Sequence, residues 1–370
     1  MKLLRTLLAT VLVTAPPVWA QTTPGSRPQD RPQVAPISGR LPIAGGYRAE
    51  SGDLDVEIID REIPGGISGK SLPIRCYLPV GVGVSKVPLV VVSPGTGATR
   101  TAFSGLASHL ASHGVAVVVV THDDAPERRQ RRPEHQRLHQ EHLGAVRTSL
   151  DPFGRIADLS AVLDAGESLA PVTTTGRTTT SACGPYPSID VENAVVLGHG
   201  DGARAAMIAV GAAMTTDLSD EPVSFRDERF GAAILLSPPG AVRPEFDRTS
   251  WRDISSPMLV ITGTDDFGSR EGDTPASSCH PFEFGPSGNG NMLVIVEGGT
   301  HASYLAPGPD AGPRRGSGGS GPHWFTRGVT RSMAGAFIDS QLRGSGLASY
   351  YIASDGITRL EGGRVQVIKK

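Results

Sequence analysis

A chain of 370 residues, 38% hydrophobic and 19% charged, is long enough for one large α/β domain or two modest ones and does not have the composition of a disordered polymer. Its 46 glycines and 30 prolines, about a fifth of all residues, imply many loops and exclude a coiled coil. With a formal charge of −2 and no basic stripe beyond one short arginine cluster, a nucleic-acid partner has no electrostatic support.

In chain order, Met1 to Ala20 carries Lys2 and Arg5, then a short apolar run from Leu7 to Val13, and closes on Val18-Trp19-Ala20 with compact residues where a signal peptidase reads. This pattern predicts a cleaved secretory signal and a secreted or periplasmic protein. The apolar run falls short of the roughly 18 residues that a spanning helix requires, and no later segment reaches that length, so no membrane span is expected. Residues 21–45, with Pro24, Pro28, Pro32, Pro36 and Pro42, read as an extended tether. In an oxidising compartment Cys76, Cys183 and Cys279 can pair. Cys183 and Cys279, both in loop-like sequence, are the favoured couple, with connectivity open.

A single folded domain is expected over 46–345, followed by a tail at 346–370 in which Ala348 to Ile352 prolongs the last helix and Thr358 to Ile368 forms a hairpin. Strands are expected at Val56 to Ile63, Leu72 to Leu78, Pro88 to Ser93, Val115 to Thr121, Ala194 to Leu197, Ala232 to Ser237, Met258 to Thr262 and Met292 to Val296. The central ones are continuously apolar, as strands covered by helices on both faces must be. Helices fall between them at Ala102 to Ser112, Phe153 to Leu169, Ala203 to Met214 and Trp324 to Leu342. The alternation predicts an α/β, doubly wound, mostly parallel sheet of eight strands.

Three stretches interrupt the pattern: 123–150, 170–190 and 306–322. The first holds Arg128, Arg129, Arg131 and Arg132, then His135, His139 and His142 at helical spacing. That spacing suits a metal, but the surrounding arginines with Glu134 and Glu141 favour a solvated helix face, so neither metal nor cofactor is expected.

The chemistry-bearing motif is Gly198-His199-Gly200-Asp201-Gly202, between a strand and a helix that begins Ala203-Arg204-Ala205. This is the strand-turn-helix setting of the nucleophile elbow G-x-S-x-G, with Gly200 where the serine stands. The stretch resembles the elbow of the α/β-hydrolase superfamily. The likeness runs through most of residues 53–345 and is closest to secreted dienelactone-hydrolase-like and lipase-like esterases. Ser93-Pro94-Gly95-Thr96-Gly97 resembles the family's oxyanion loop, with Pro94-Gly95 in place of the frequent His-Gly. Arg155-Ile156-Ala157-Asp158 resembles the helix before the elbow, and Arg229-Phe230-Gly231 the strand after it.

The resemblance implies Asp266 as the acid, with Asp265 as its competitor, and His301 in Gly298-Gly299-Thr300-His301 as the base. It also implies an oxyanion hole from the N–H groups of Thr96 (or Gly95) and Asp201. Asp201 stands one place too late to replace the serine, and its carboxylate suits the first turn of a helix. Glycine offers no attacking atom. The expected protein is therefore an impaired or pseudo-hydrolase that binds a small acyl or ester ligand. The alternative is an active esterase that uses His301-activated water or an unusual nucleophile. Ser93, Ser104 and Ser237 are other hydroxyls near strand ends, and the sequence places none of them beside His301.

Overall fold

Strongly β-branched runs separated by helices fold, in this computed structural model, into one nine-stranded sheet in the order β1-β2-β4-β3-β5-β8-β9-β10-β11. The structure describes residue 47 and residues 50–66, 71–82, 86–126, 128, 152–169, 188–216, 219–268, 270–305, 323–354 and 363–370. All belong to one contact-dense unit spanning Pro42–Lys370. The strands are β1 (Val56–Pro64), β2 (Ser71–Pro79), β3 (Val87–Ser93), β4 (Ala116–Val120), β5 (Ile189–His199), β8 (Phe230–Leu236), β9 (Met258–Asp265), β10 (Met292–Thr300) and β11 (Val365–Lys369), while β6 (Met214–Thr216) and β7 (Ser219–Val223) form a separate hairpin. Pairing is parallel from β4 through β3, β5, β8 and β9 to β10, and antiparallel at β1–β2, β2–β4 and β10–β11.

The six helices of the described residues are α1 (Ser104–Ser112), α2 (Pro152–Ala165), α3 (Asp201–Ala209), α4 (His280–Phe284), α5 (His323–Leu342) and α6 (Gly346–Ala353). Alternate strand residues feed two apolar clusters. Val91 and Val196 pack with Leu159 and Val162 of α2 and Ile208 of α3. Val90, Val92, Val195 and Leu197 pack with Leu106 and Leu110 of α1 and Val329 and Phe337 of α5. A strand buried on both faces has no polar side to show, which is why these runs contain almost no charge.

The count of eight strands is corrected to nine. All eight expected strands are in the sheet, and β11, within the stretch read from sequence as a tail hairpin, pairs with β10 at the edge, while the first half of that expected hairpin lies outside the described residues. The expected extension of the last helix is a separate helix, α6, after Gly344 at φ +59°. The signal segment, the tether, His135, His139 and His142, Cys183 and the 306–322 loop lie outside the described residues. Cys279 is a buried free thiol rather than half of the favoured disulfide, and Cys76 is buried and free as well. Burial pushes both thiols up to about 12.

Strand order reverses at β3, with β4 on one side and β5 on the other. A crevice outside the carboxyl ends of the strands at such a switch point is where open α/β sheets bind ligands.

Candidate functional site

One residue separates β5 from α3. Gly200 occupies it at φ 55°, ψ −120°, a conformation that side chains rarely tolerate. The two flanking glycines answer a different need. A Cβ on Gly202 would lie 1.9 Å from the Ser93 carbonyl oxygen, and one on Gly198 would lie 2.3 Å from the Gly202 oxygen. Any larger residue at either place would force α3 off the sheet. A Cβ built on Gly200 meets only His301, at 3.2 Å from both Cε1 and Nε2. A side chain at position 200 would therefore point at the His301 ring.

His301 follows β10 and opens a 3-10 turn fixed by a capping box between Thr300 and Ser303. Asp266 follows β9 and is 1% exposed. Its Oδ1 lies 3.5 Å from His301 Nδ1, too far for a good hydrogen bond. Ser237, directly after β8, fills the gap: its hydroxyl donates to Asp266 Oδ1 at 2.6 Å and sits 2.5 Å from His301 Nδ1. Thr262 donates to the other Asp266 oxygen at 2.9 Å. Ser237 has φ 48°, the one non-glycine among the described residues with positive φ. Sequence reasoning named this serine but had no means of placing it beside the histidine, because its partners are 29 and 64 positions away.

His199 packs against His301 with ring centroids 4.5 Å apart, and its Nε2 donates to the His301 carbonyl at 2.8 Å. Burial, then the neighbouring imidazole, lower its pKa to about 4, so the ring is neutral. Across the cleft, Thr96 Oγ1 donates to Asp201 Oδ2 at 2.5 Å, which ties the β3 loop to the start of α3. Burial would raise the Asp201 pKa, but the Thr96 hydroxyl, Arg204 at 3.9 Å and Arg270 at 3.2 Å outweigh it, and the carboxyl stays below its ordinary range.

The β3 loop is braced from behind. Arg155 donates to the Pro94 carbonyl at 2.8 Å and to Asp124 at 2.7 Å, and Asp124 accepts from the Gly97 N–H at 3.1 Å. Below it, Ser93 Oγ meets His122 Nε2 at 2.8 Å and His122 Nδ1 meets Asp158 at 2.9 Å. This is a serine-histidine-aspartate chain in outline, but Ser93 is 0% and His122 2% exposed, so no substrate reaches it. It supports the loop.

Of the candidate residues, Gly95, Thr96, His199, Gly200, Asp201 and His301 line a cleft of about 190 Å³ together with Ser237, while Asp266, Gly198 and Gly202 are not among its lining residues. Pro238, Pro239 and Leu305 supply apolar wall, and Arg243, paired with Asp273 at 2.7 Å, supplies a charged one. Asp265, the competing acid, is exposed at the strand end, whereas buried Asp266 reaches His301 through Ser237.

The family model of platelet-activating factor acetylhydrolase, isoform II, matches residues 67–133. That family is lipase-like and of α/β-hydrolase type, in keeping with the mostly parallel sheet. The match covers β2, β3, α1 and β4 with the Gly95-Thr96 loop, and it stops before Gly200, Asp266 and His301. No curated protein matches the chain. Among the described residues no group of three or more histidine, cysteine or acidic side chains is arranged to hold a metal ion. No helix of the described residues is long and apolar enough to cross a membrane.

Proposed function

We propose that the protein is an impaired carboxylic ester hydrolase: it binds a small acyl or ester ligand in the cleft and turns it over slowly, without an acyl-enzyme intermediate. One observation carries this reading. The elbow backbone at Gly200 points its absent Cβ at His301 Nε2 from 3.2 Å, which is the direction a nucleophilic hydroxyl would take. The family likeness over residues 67–133 supports the ester-hydrolase class.

In this reading Asp266 is the acid and His301 the base, and the N–H groups of Thr96 (or Gly95) and Asp201 face the developing oxyanion. The space next to Gly200 admits a water. His301 Nε2 takes one proton from it as its oxygen bonds to the ester carbonyl carbon, and the imidazolium returns that proton to the departing alcohol. The products are an acid and an alcohol, with no covalent bond to the protein. Secretion through the Met1 to Ala20 signal and the dienelactone-hydrolase-like subtype belong to the same proposal.

The test is hydrolysis of short-chain nitrophenyl esters by the native chain and by Gly200→Ser. Loss of a triad serine costs up to about a millionfold, so restoring it is expected to raise kcat by roughly 10³-fold or more. His301→Ala is expected to abolish the gain. Native turnover equal to that of Gly200→Ser would overturn the proposal.

A further inference from the structure

The direct contact between acid and base is missing in this cleft, and a serine stands in its place. Ser237 Oγ has one proton to give. The buried Asp266 carboxylate, 2.6 Å away, is an acceptor only, so that proton goes to Asp266 Oδ1. The contact of 2.5 Å to His301 Nδ1 then requires a donor on the histidine side. His199, whose ring packs on His301, and Tyr304, whose ring packs on His199, both direct their protons elsewhere. His199 directs its Nε2 proton to the His301 carbonyl oxygen, and the Tyr304 hydroxyl donates to the Ile261 carbonyl at 3.4 Å. Asp266 by itself stands 3.5 Å from Nδ1.

We infer that Ser237 is a positioning residue: its hydroxyl relays Asp266 to His301, fixes the Nδ1–H tautomer and leaves Nε2 unprotonated toward Gly200. This rests on reading the cleft as an ester-hydrolase site. Both sides of the Ser237 hydroxyl are engaged and the residue is 4% exposed, so it serves as a relay rather than a displaced nucleophile. The positive φ fits this role, since it turns a residue at a strand end back toward the acid and the base.

The experiment uses the full chain with nitrogen-15-labelled histidine, His301 being assigned by the signal lost in His301→Gln. The native spectrum at neutral pH is expected to show a protonated Nδ1 and an unprotonated Nε2. Ser237→Ala, and Ser237→Gly as a variant that accepts a positive φ without strain, are expected to shift the tautomer balance toward Nε2–H. In a Gly200→Ser background, either change is expected to lower kcat by about 10²-fold or more with KM altered less than about threefold. A native Nε2–H tautomer, or a balance unmoved by both Ser237 variants, would overturn the relay, as would an organophosphorus adduct on Ser237. If Gly200→Ser gains no activity while the tautomer shift holds, the ester-hydrolase reading fails and the relay stands.

Discussion

At Gly200 two requirements oppose each other. The backbone at φ 55° costs any L side chain about 1–3 kcal/mol, and a Cβ there presses on His301 at 3.2 Å, so the ring must retreat by a few tenths of an ångström. Gly200→Ser is therefore expected to lower the unfolding free energy by about 1–3 kcal/mol while it raises esterase turnover. Chemical denaturation run beside the kinetic assay checks both signs, and a variant that gained neither activity nor instability would contradict the elbow geometry. Gly200 was visible in the sequence because the Gly198-His199-Gly200-Asp201-Gly202 spacing between a strand and a helix is a local pattern that can be read whatever residue stands at its centre. The place of Ser237 beside His301 was not, since a serine after a strand looks like any loop hydroxyl until the fold brings β8, β9 and β10 side by side.

Among the elements, the sheet edges carry what local pattern did not disclose. The β6–β7 hairpin contains Thr215, Thr216, Ser219 and Glu221 and lacks an apolar run, so nothing in its periodicity marked it as a strand pair. β11 was legible only as part of a tail hairpin, yet it covers the edge of β10 and buries Val365 to 1% exposure, and it is followed by Lys370, whose ammonium donates to the carbonyls of Phe282, Glu283 and Gly285 at the end of α4. Ending the chain at Gly362 is expected to leave β10 with an open apolar edge and to produce concentration-dependent aggregation by light scattering. A truncated chain that stays monomeric with an unchanged melting temperature would show the strand to be dispensable.

The opposite edge has a different tie. Asp60 on β1 pairs with Arg75 on β2 at 2.7 Å and with Arg100 at 3.1 Å, which hold its carboxyl down at about 2. A depressed carboxyl stabilises the fold above the unfolded-state pKa of about 4, and the contribution is lost as pH falls through the folded value. Melting temperatures recorded between pH 5 and pH 2 are expected to fall less steeply for Asp60→Asn than for the native chain.

Over the whole molecule, the central strands were readable because burial on both faces leaves a continuous apolar signature. The loops after their carboxyl ends were readable only where a resemblance guided the eye. Buried neutral histidines are the global consequence. Burial lowers the pKa of His109 to about 3 and of His199 to about 4, and it lowers that of His122 too. The unfolded chain binds protons at these residues near pH 6.5 and the native chain does not, so stability is fully present above that pH and declines as pH falls toward 4. Denaturant midpoints at pH 7.5, 6 and 5 are expected to fall in that order, with a shallower fall for His109→Phe. A flat series for the native protein would contradict the burial of these rings as neutral groups.

The cleft itself is tested most directly by mass spectrometry of the intact chain after exposure to an organophosphorus serine reagent. The native protein is expected to gain no adduct, while Gly200→Ser gains one, located at residue 200 and lost again in the His301→Ala background. A stoichiometric adduct on the native chain, accompanied by loss of its ester turnover, would contradict the assignment of Gly200 as an empty nucleophile position.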